Sequence, residues 1–512
     1  MAKQADPERS APPPADAAHK AGESDGPAQN WQGDGRSRIS FSDIVGTPEQ
    51  LADWRLVNSI LYGSKPEQFG FGNLILFDEP ARQASDRSGQ PEEGDRAGRA
   101  EASKPSEKYR EVTGDGLVNG VSYELVQGQD VAAQRNKLVD CLEKGLSDNQ
   151  FELNRAKIFM GGFEERMQVM EKAYMKQGLD QRQAHEKVHD EVLETYRQIN
   201  RILDKSEPSA AAIGDKERVM LAKQILSSSC NTGDIGQGDH KTCNVAAVEV
   251  RTYTQDPASA ARLVADVVMT GKYTTRDGHE IKIDKGSLVP HDEAKTDPPP
   301  SGGRSYASQI FQVAAVNIYH QRNGNLRYEQ REPSGENGDT GERLVDYSVS
   351  PPKDGPSLYD RIMGKDSEFF YTRPLLGGKE IIDIGNQISD NNGKDWYFAE
   401  RNSPVDGVPK VGSQEELLAQ LANAAKSGQF PIVLRVNTNN EPFLTDSGAG
   451  AAGGSGGWHV VTVMDFVDGS PPRVMVDNQW DRSSDHTNRD YGVPLPVLFK
   501  AMQEPEVKDK NS

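Results

Sequence analysis

The feature that most constrains this chain is the separation of polar, low-complexity stretches from stretches with regular apolar spacing. Residues 1–37 and 80–115 are rich in charged and small side chains, a composition that is typical of segments unable to bury enough apolar surface to fold. The chain as a whole is only 35 % hydrophobic, with a mean hydropathy of −0.72. We therefore expect the folded core to come from part of the 512 residues, with the polar stretches outside it.

Composition excludes several classes of function. The net charge of −19 argues against a general nucleic-acid binder, which needs basic surface to neutralise phosphates. No apolar run is long enough to span a membrane, and Met1–Asn30 lacks the apolar segment of a secretory signal. We expect a cytoplasmic protein, or one exported by a non-Sec route, with no membrane partner. The three cysteines, Cys141, Cys230 and Cys243, are too few for a disulfide scaffold and fit a reducing compartment.

Apolar periodicity divides the chain into six predicted segments. Between residues 130 and 204, apolar side chains recur at three- and four-residue intervals, which predicts amphipathic helices and offers a surface for a protein partner. Beyond residue 215, helix and strand signals occur without regular alternation, which favours an α+β fold. The segments are a disordered tail (1–37), a short helix and strand segment (38–79), a low-complexity linker (80–115), a helical domain (116–207), an α+β domain (208–503) and a second tail (504–512).

One cysteine stands where a nucleophile would be placed. A loop rich in glycine and polar residues leads into Cys243, and an apolar helix is predicted to begin there. A thiol at a helix N-terminus faces the positive end of the helix dipole, so we expect its pKa to be lowered and its nucleophilic thiolate favoured. Gln237 lies six residues earlier in the same loop. Its side-chain amide could stand beside the backbone N–H of Cys243 and bind an oxyanion.

A histidine and an asparagine are predicted to meet on a β-hairpin. His459 lies near the start of a predicted strand at 458–467, and a turn leads from it to a second predicted strand at 473–478. Antiparallel pairing returns the end of the second strand to the start of the first. Asn478 can then orient the imidazole of His459, as the third member of a triad does. The neighbouring Asp477 is the alternative for that role.

These residues resemble those of the papain-like cysteine peptidases, including the calpain branch. The order Cys243, His459, Asn478 matches that superfamily, as do the glutamine six residues before the cysteine and the Asn-x-Trp motif ending at Trp480. The resemblance covers roughly residues 215–503. It implies a two-lobed fold, in which a helical lobe carries the cysteine and an antiparallel β lobe carries the histidine. It also implies a peptidase that acts on protein or peptide substrates without a cofactor, with Gln237 as oxyanion donor.

Other functions remain open. Asn244 stands where the family usually has tryptophan after the cysteine, so the resemblance is to the superfamily and not to a named subfamily. The same triad serves deamidases and transglutaminase-like acyltransferases, and an inactive papain-like domain could bind partners alone. His185 and His189 match the H-E-x-x-H pattern of zinc peptidases. Their polar neighbours indicate a solvated helix face instead, so we expect no metal.

Overall fold

A computed structural model of the chain places most residues after 124. The described residues are 117–118, 121–122, 125–238, 240–299, 303–331, 341–354, 376–389, 396–400, 410–443, 449–450, 454–455, 457–467, 469–479 and 492–503. The predicted segments at 1–37, 38–79 and 504–512, the linker at 80–115 and Trp480 lie outside the described residues.

The predicted helical stretch forms three helices, which confirms the helical periodicity. Helix α3 begins with a reciprocal capping box, in which Asp180 accepts from the backbone of Gln183 and the Gln183 side chain accepts from the backbone of Asp180. The apolar residues predicted at helical spacing on α3 are fully buried, so this spacing marks the face that joins the core. The elements are β1 (Leu117–Val118), β2 (Val121–Ser122), α1 (Gln129–Gly145), α2 (Gln150–Lys176) and α3 (Gln181–Leu203).

Helices dominate the next part of the chain. Asp256 caps α6 by accepting from the backbone of Ser259, and Pro257 occupies the first helical position, which are favourable choices for a helix start. The elements are α4 (Asp215–Cys230), α5 (Cys243–Gln255), α6 (Pro257–Thr270), β3 (Lys272–Thr274), β4 (Glu280–Lys282), α7 (Tyr306–Arg322), β5 (Leu326–Gln330), β6 (Glu342–Asp346), β7 (Lys353–Asp354) and α8 (Gly378–Ile388).

The C-terminal part forms a six-stranded sheet. Its elements are β8 (Tyr397–Glu400), β9 (Lys410–Val411), α9 (Gln414–Lys426), β10 (Ile432–Asn437), β11 (Ala449–Gly450), β12 (Gly454–Ser455), β13 (Trp458–Val467), β14 (Arg473–Asp477), β15 (Val493–Pro494) and α10 (Leu495–Ala501). The strand order is β15-β14-β13-β10-β8-β9. Strands β10, β13, β14 and β15 pair antiparallel, whereas β8 pairs parallel with both β10 and β9.

The helices before residue 207 share a core with the rest of the described chain. Helix α3 packs on α6, and α2 packs on α4. One continuous set of buried apolar side chains runs from Val126 to Met502. A domain boundary at residue 207 remains a sequence-based prediction, and the described residues on its two sides pack as one body.

The prediction of a mixed α+β chain is confirmed, with helices and small, mainly antiparallel sheets. Helices and strands are interspersed along the described sequence, so the predicted separation of the two is not seen. The paired strands β13 and β14 are confirmed as an antiparallel hairpin. Helix α8 and strands β5, β6 and β8 carried no sequence prediction. Among the described helices, none has the length and apolar character needed to cross a membrane.

Candidate active site

Cys243 is the first residue of helix α5, as the sequence predicts. The preceding residue, Thr242, holds the N-cap position but does not cap the helix with its side chain. Its hydroxyl instead donates to Oε1 of Gln312 on α7, at 2.7 Å. The residue at the helix start is half-buried, with its sulfur surrounded by protein atoms.

The orientation of α5 places its N-terminal end toward the end of the sheet where His459 lies. Near the other end of α5, Arg251 donates to the carbonyls of Gln429 (2.8 Å) and Pro431 (2.5 Å), which lead into β10. The C-terminal end of α5 is therefore fixed at the beginning of β10. Its N-terminal end, with Cys243, extends toward the far end of that strand, where β10 pairs with β13 at His459.

The hairpin brings His459 and Asn478 into contact. Asn478 follows the last residue of β14, and its Oδ1 lies 2.8 Å from Nε2 of His459. Both side chains are buried. Asp477 instead lies beside Gln479, whose Nε2 is 3.4 Å from Asp477 Oδ2. Of the two alternatives for orienting the imidazole, the structure brings Asn478 to the ring.

The cysteine sulfur lies against the strand that carries the histidine. The backbone N–H of Val460, the residue after His459, is near enough to the thiol of Cys243 to act against the rise in its pKa. Helix α5 also packs directly on β13. The helix that starts at Cys243 and the strand that carries His459, more than two hundred positions apart in the sequence, thus pack against each other.

Cys243 and His459 are both neutral at pH 7. Burial raises the pKa of the Cys243 thiol to about 11, although backbone N–H groups, including that of Val460, act in the opposite direction. Burial also lowers the pKa of His459 to about 4, and the hydrogen bond to Asn478 opposes this shift only in part. The expectation of a lowered thiol pKa is wrong for this structure. The helix N-terminus favours the thiolate, but desolvation of the sulfur is the larger effect.

Gln237 lies at the opposite end of the cysteine loop. Its backbone N–H donates to the carbonyl of Gln479 (2.9 Å), the residue after Asn478, so the loop is joined to the end of β14. Its side-chain Nε2 donates to the carbonyl of His240 at 2.7 Å. An amide nitrogen carries two hydrogens, and the His240 carbonyl accepts one of them. The orientation of the amide is therefore set from within the loop.

A buried polar network lies beneath this loop. The ring nitrogen Nε2 of His240 is 3.0 Å from Nε2 of Gln330. The fully buried carboxylate of Glu342 accepts from the backbone of Lys241 (3.2 Å) and from the hydroxyl of Tyr328 (2.6 Å). These contacts fix the backbone just before the cysteine, because buried polar groups that are fully bonded are costly to move.

Sequence reasoning missed this network, although a signal was present. Helix α7 is apolar for most of its length, yet Gln309, Gln312 and Asn317 occur within it. All three are fully buried. Amides within an apolar helix need buried partners. Those of Gln309 and Gln312 come from other segments of the chain, and Asn317 bonds to the neighbouring Tyr328.

The H-E-x-x-H residues occupy the outer face of α3. His185 Nδ1 lies 3.3 Å from Glu171, and His189 lies between Asp130 (Nε2, 2.9 Å) and Asp190 (Nδ1, 3.2 Å). Burial lowers the pKa of His189, but the two carboxylates raise it by more, so the net shift is upward. A protonated ring has no lone pair for a metal. Within the described ranges, no group of three ligating side chains is placed to hold one.

Comparison with known proteins found no matching family model, no matching curated protein and no matching solved structure. The functional assignment therefore depends on the residues of this chain and their geometry.

Proposed function

We propose that the chain is a cysteine peptidase, a thiol hydrolase of the papain-like type that cleaves peptide or amide bonds through an acyl-enzyme. The observation that carries the proposal is the hydrogen bond between His459 and Asn478. The helix that starts at Cys243 packs on the strand that carries this histidine. A nucleophile, a base and a group that orients the base are the three parts that acyl transfer needs.

The asparagine selects the tautomer of the base. Oδ1 of an asparagine only accepts hydrogen bonds, so Nε2 of His459 carries the hydrogen in the neutral ring. Nδ1 then holds the lone pair, and it is the nitrogen that can remove a proton from the Cys243 thiol. Asn478 thus supports catalysis by fixing which ring nitrogen is basic.

The reaction begins from neutral partners, because pH 7 lies between the two pKa values. The thiol proton moves to Nδ1 of His459 as the sulfur of Cys243 attacks the substrate carbonyl carbon. The negative charge that develops on the carbonyl oxygen is met by the backbone N–H of Cys243 and the second amide hydrogen of Gln237. Collapse forms a thioester, and the imidazolium returns its proton to the leaving amine. Water, deprotonated by His459, then hydrolyses the thioester.

The same residues support a deamidase or an acyltransferase. In a deamidase the leaving group is ammonia from a side-chain amide, and in an acyltransferase an amine replaces water in the second step. The acyl-enzyme on Cys243 is common to all three. The described residues do not favour a deamidase or an acyltransferase over the peptidase, so the three are distinguished by their reaction products.

Two further alternatives predict no acyl-enzyme. A zinc peptidase built on His185 and His189 is disfavoured by the two carboxylates that occupy the ring nitrogens of His189. An inactive papain-like domain that only binds partners would keep the fold and the hydrogen bond to Asn478 without turnover. The neutral thiol of Cys243 is compatible with either a latent or an active enzyme.

The proposal is tested by trapping the acyl-enzyme. The full chain is mixed with an activated acyl ester, quenched in acid, and its intact mass and modified peptide are measured. We expect one acyl group on Cys243, none on Cys230, and no effect of a metal chelator. The Cys230→Ala variant is the matched thiol control, because Cys230 is also a reduced cysteine and burial raises its pKa to about 12. An intact fold with no adduct on Cys243 contradicts the proposal.

A peptide library then separates the three reactions of the acyl-enzyme. New N-termini indicate hydrolysis of the main chain, conversion of glutamine to glutamate indicates deamidation, and new isopeptide links indicate transfer. We expect new N-termini that are lost in Cys243→Ala. Glutamate or isopeptide products without new N-termini would replace the peptidase assignment by one of the alternatives.

A further inference from the structure

Gln312 connects the two ends of the loop that carries the proposed oxyanion donor and nucleophile. Its Nε2 donates to the carbonyl of Gly236 (3.0 Å), the residue before Gln237. Its Oε1 accepts from the hydroxyl of Thr242 (2.7 Å), the residue before Cys243. One side chain therefore spans the loop from residue 236 to residue 242.

The orientation of this amide is fixed by its other two partners. Arg304, which can only donate, lies 3.4 Å from Oε1, and the carboxylate of Glu249 accepts from Nε2 at 2.9 Å. All four hydrogen-bonding positions of the amide are then used, and Gln312 is fully buried. A flipped amide would oppose two donors and two acceptors at once, so the side chain has one arrangement.

We propose that Gln312 is a positioning residue for the oxyanion site, which it sets by holding Gln237 and Cys243 at a fixed separation. This inference rests on the proposed function. The oxyanion is bound by two donors that belong to different ends of the loop, and such donors act only when both lie within hydrogen-bond distance of one oxygen. A change of about 1 Å in the span of the loop would remove one of them.

The proposal predicts that two reactions of the same sulfur respond differently. Alkylation by iodoacetamide displaces iodide and develops no carbonyl oxyanion, whereas acylation by an activated ester does. Gln312→Leu keeps the apolar volume and removes all four hydrogen bonds. We expect the acylation rate of Cys243 to fall about 100-fold, the usual effect of losing one oxyanion donor. The alkylation rate should stay within about threefold, because the nucleophile itself is retained.

Gln309→Leu is the matched control. Gln309 lies one turn earlier on α7, is equally buried, and bonds to the carbonyls of Ser287 and Val289 instead of the cysteine loop. Its loss should alter acylation and alkylation to the same small extent. A selective loss of acylation in Gln309→Leu, or a parallel loss of both reactions in Gln312→Leu, overturns the proposal.

A second variant decides the matter if Gln312→Leu does not fold. Thr242→Val removes the hydroxyl that donates to Gln312 and leaves the amide in place, with almost no change in volume. It should also lower acylation more than alkylation, and equal effects on both would overturn the proposal. A wild-type chain that forms no acyl adduct would refute the proposed function itself. A wild-type chain that acylates normally, with an unselective Gln312→Leu, refutes only the positioning role.

Discussion

Two histidine-bearing regions of this chain match sequence patterns of hydrolases, but their surroundings shift the histidine pKa in opposite directions. His459 is buried beside the neutral amide of Asn478, and burial lowers its pKa to about 4. His189 lies near the surface between the carboxylates of Asp130 and Asp190, which raise its pKa above the usual value. A lowered pKa favours the neutral ring, which has a lone pair for proton transfer, and a raised pKa favours the charged ring, which has none.

The comparison shows that the partners of a histidine decide its chemistry more than the motif around it. A carboxylate next to each ring nitrogen of His189 stabilises its imidazolium form. An amide oxygen orients the ring without demanding a charge, which suits a base. The following predictions test whether His459 and His189 differ in charge and in their effect on the reactivity of Cys243.

The largest expected effect is on acylation of Cys243. Replacement His459→Gln removes the proposed base, and the thiol, with its pKa of about 11, must then lose its proton to water. We expect the acylation rate at pH 7 to fall about 1,000-fold, within the range of general base catalysis. His189→Gln should change it less than about twofold. Rates come from mass spectrometry after acid quench, and a loss in His189→Gln comparable to that in His459→Gln would end the comparison.

The same two variants should differ in the sign of their effect on stability against pH. The pKa of His459 is depressed in the folded state, so its contribution is complete above the unfolded value of 6.5 and is lost as the pH falls toward 4. This loss amounts to roughly 3 kcal/mol of unfolding free energy. His189 has a raised pKa, and its contribution is complete below 6.5 and is lost as the pH rises.

Urea unfolding at neutral and acid pH measures this difference. His459→Gln should lose less stability than the wild type on acidification, and His189→Gln should lose more. Glu249, whose pKa burial raises to about 7, titrates in all three proteins and therefore cancels. Equal acid sensitivity of the wild type and His459→Gln would show that His459 is not buried in its neutral form.

The orienting role of Asn478 has a smaller expected effect. In Asn478→Ala the neutral ring of His459 loses the acceptor that selects its tautomer. We expect acylation to fall on the order of 10- to 100-fold, below the effect of removing the base itself. Asp477→Asn is the control, since Asp477 contacts Gln479, and it should stay within about threefold. A larger loss of acylation in Asp477→Asn than in Asn478→Ala would indicate that Asp477 orients the ring instead.

Local patterns predicted the elements that hold the site. The strand Trp458–Val467 and the start of the helix at Cys243 agree with the structure at those residues, because strand alternation and a loop-to-helix transition are both local signals. The meeting of His459 with Asn478 also followed from sequence, because the turn between the strands requires the hairpin to close.

The features that the sequence did not predict depend mainly on contacts between residues far apart in the chain. The thiol pKa was expected to fall with the helix dipole, but burial beneath other elements raises it. Gln312 lies on an apolar helix, and the role proposed for it depends on a hydrogen bond to Gly236, far away in sequence. Helix α8 was also not predicted from the sequence. Its apolar face, which includes Ile381 and Ile384, is short and lies next to glycines that normally end helices.

The smallest expected effect concerns the surface histidine alone. Asp130→Asn removes the carboxylate that lies 2.9 Å from Nε2 of His189, so the pKa of His189 should fall toward its ordinary value. The unfolding free energy should decrease by less than about 1 kcal/mol, because exposed ion pairs contribute little, and only at pH values where the ring is protonated. An NMR titration of the His189 ring measures the pKa, with Asp190→Asn as the matched variant at the other nitrogen. If neither variant moves the titration, the carboxylates do not hold the ring in its charged form, and the contrast with His459 would have to rest on burial alone.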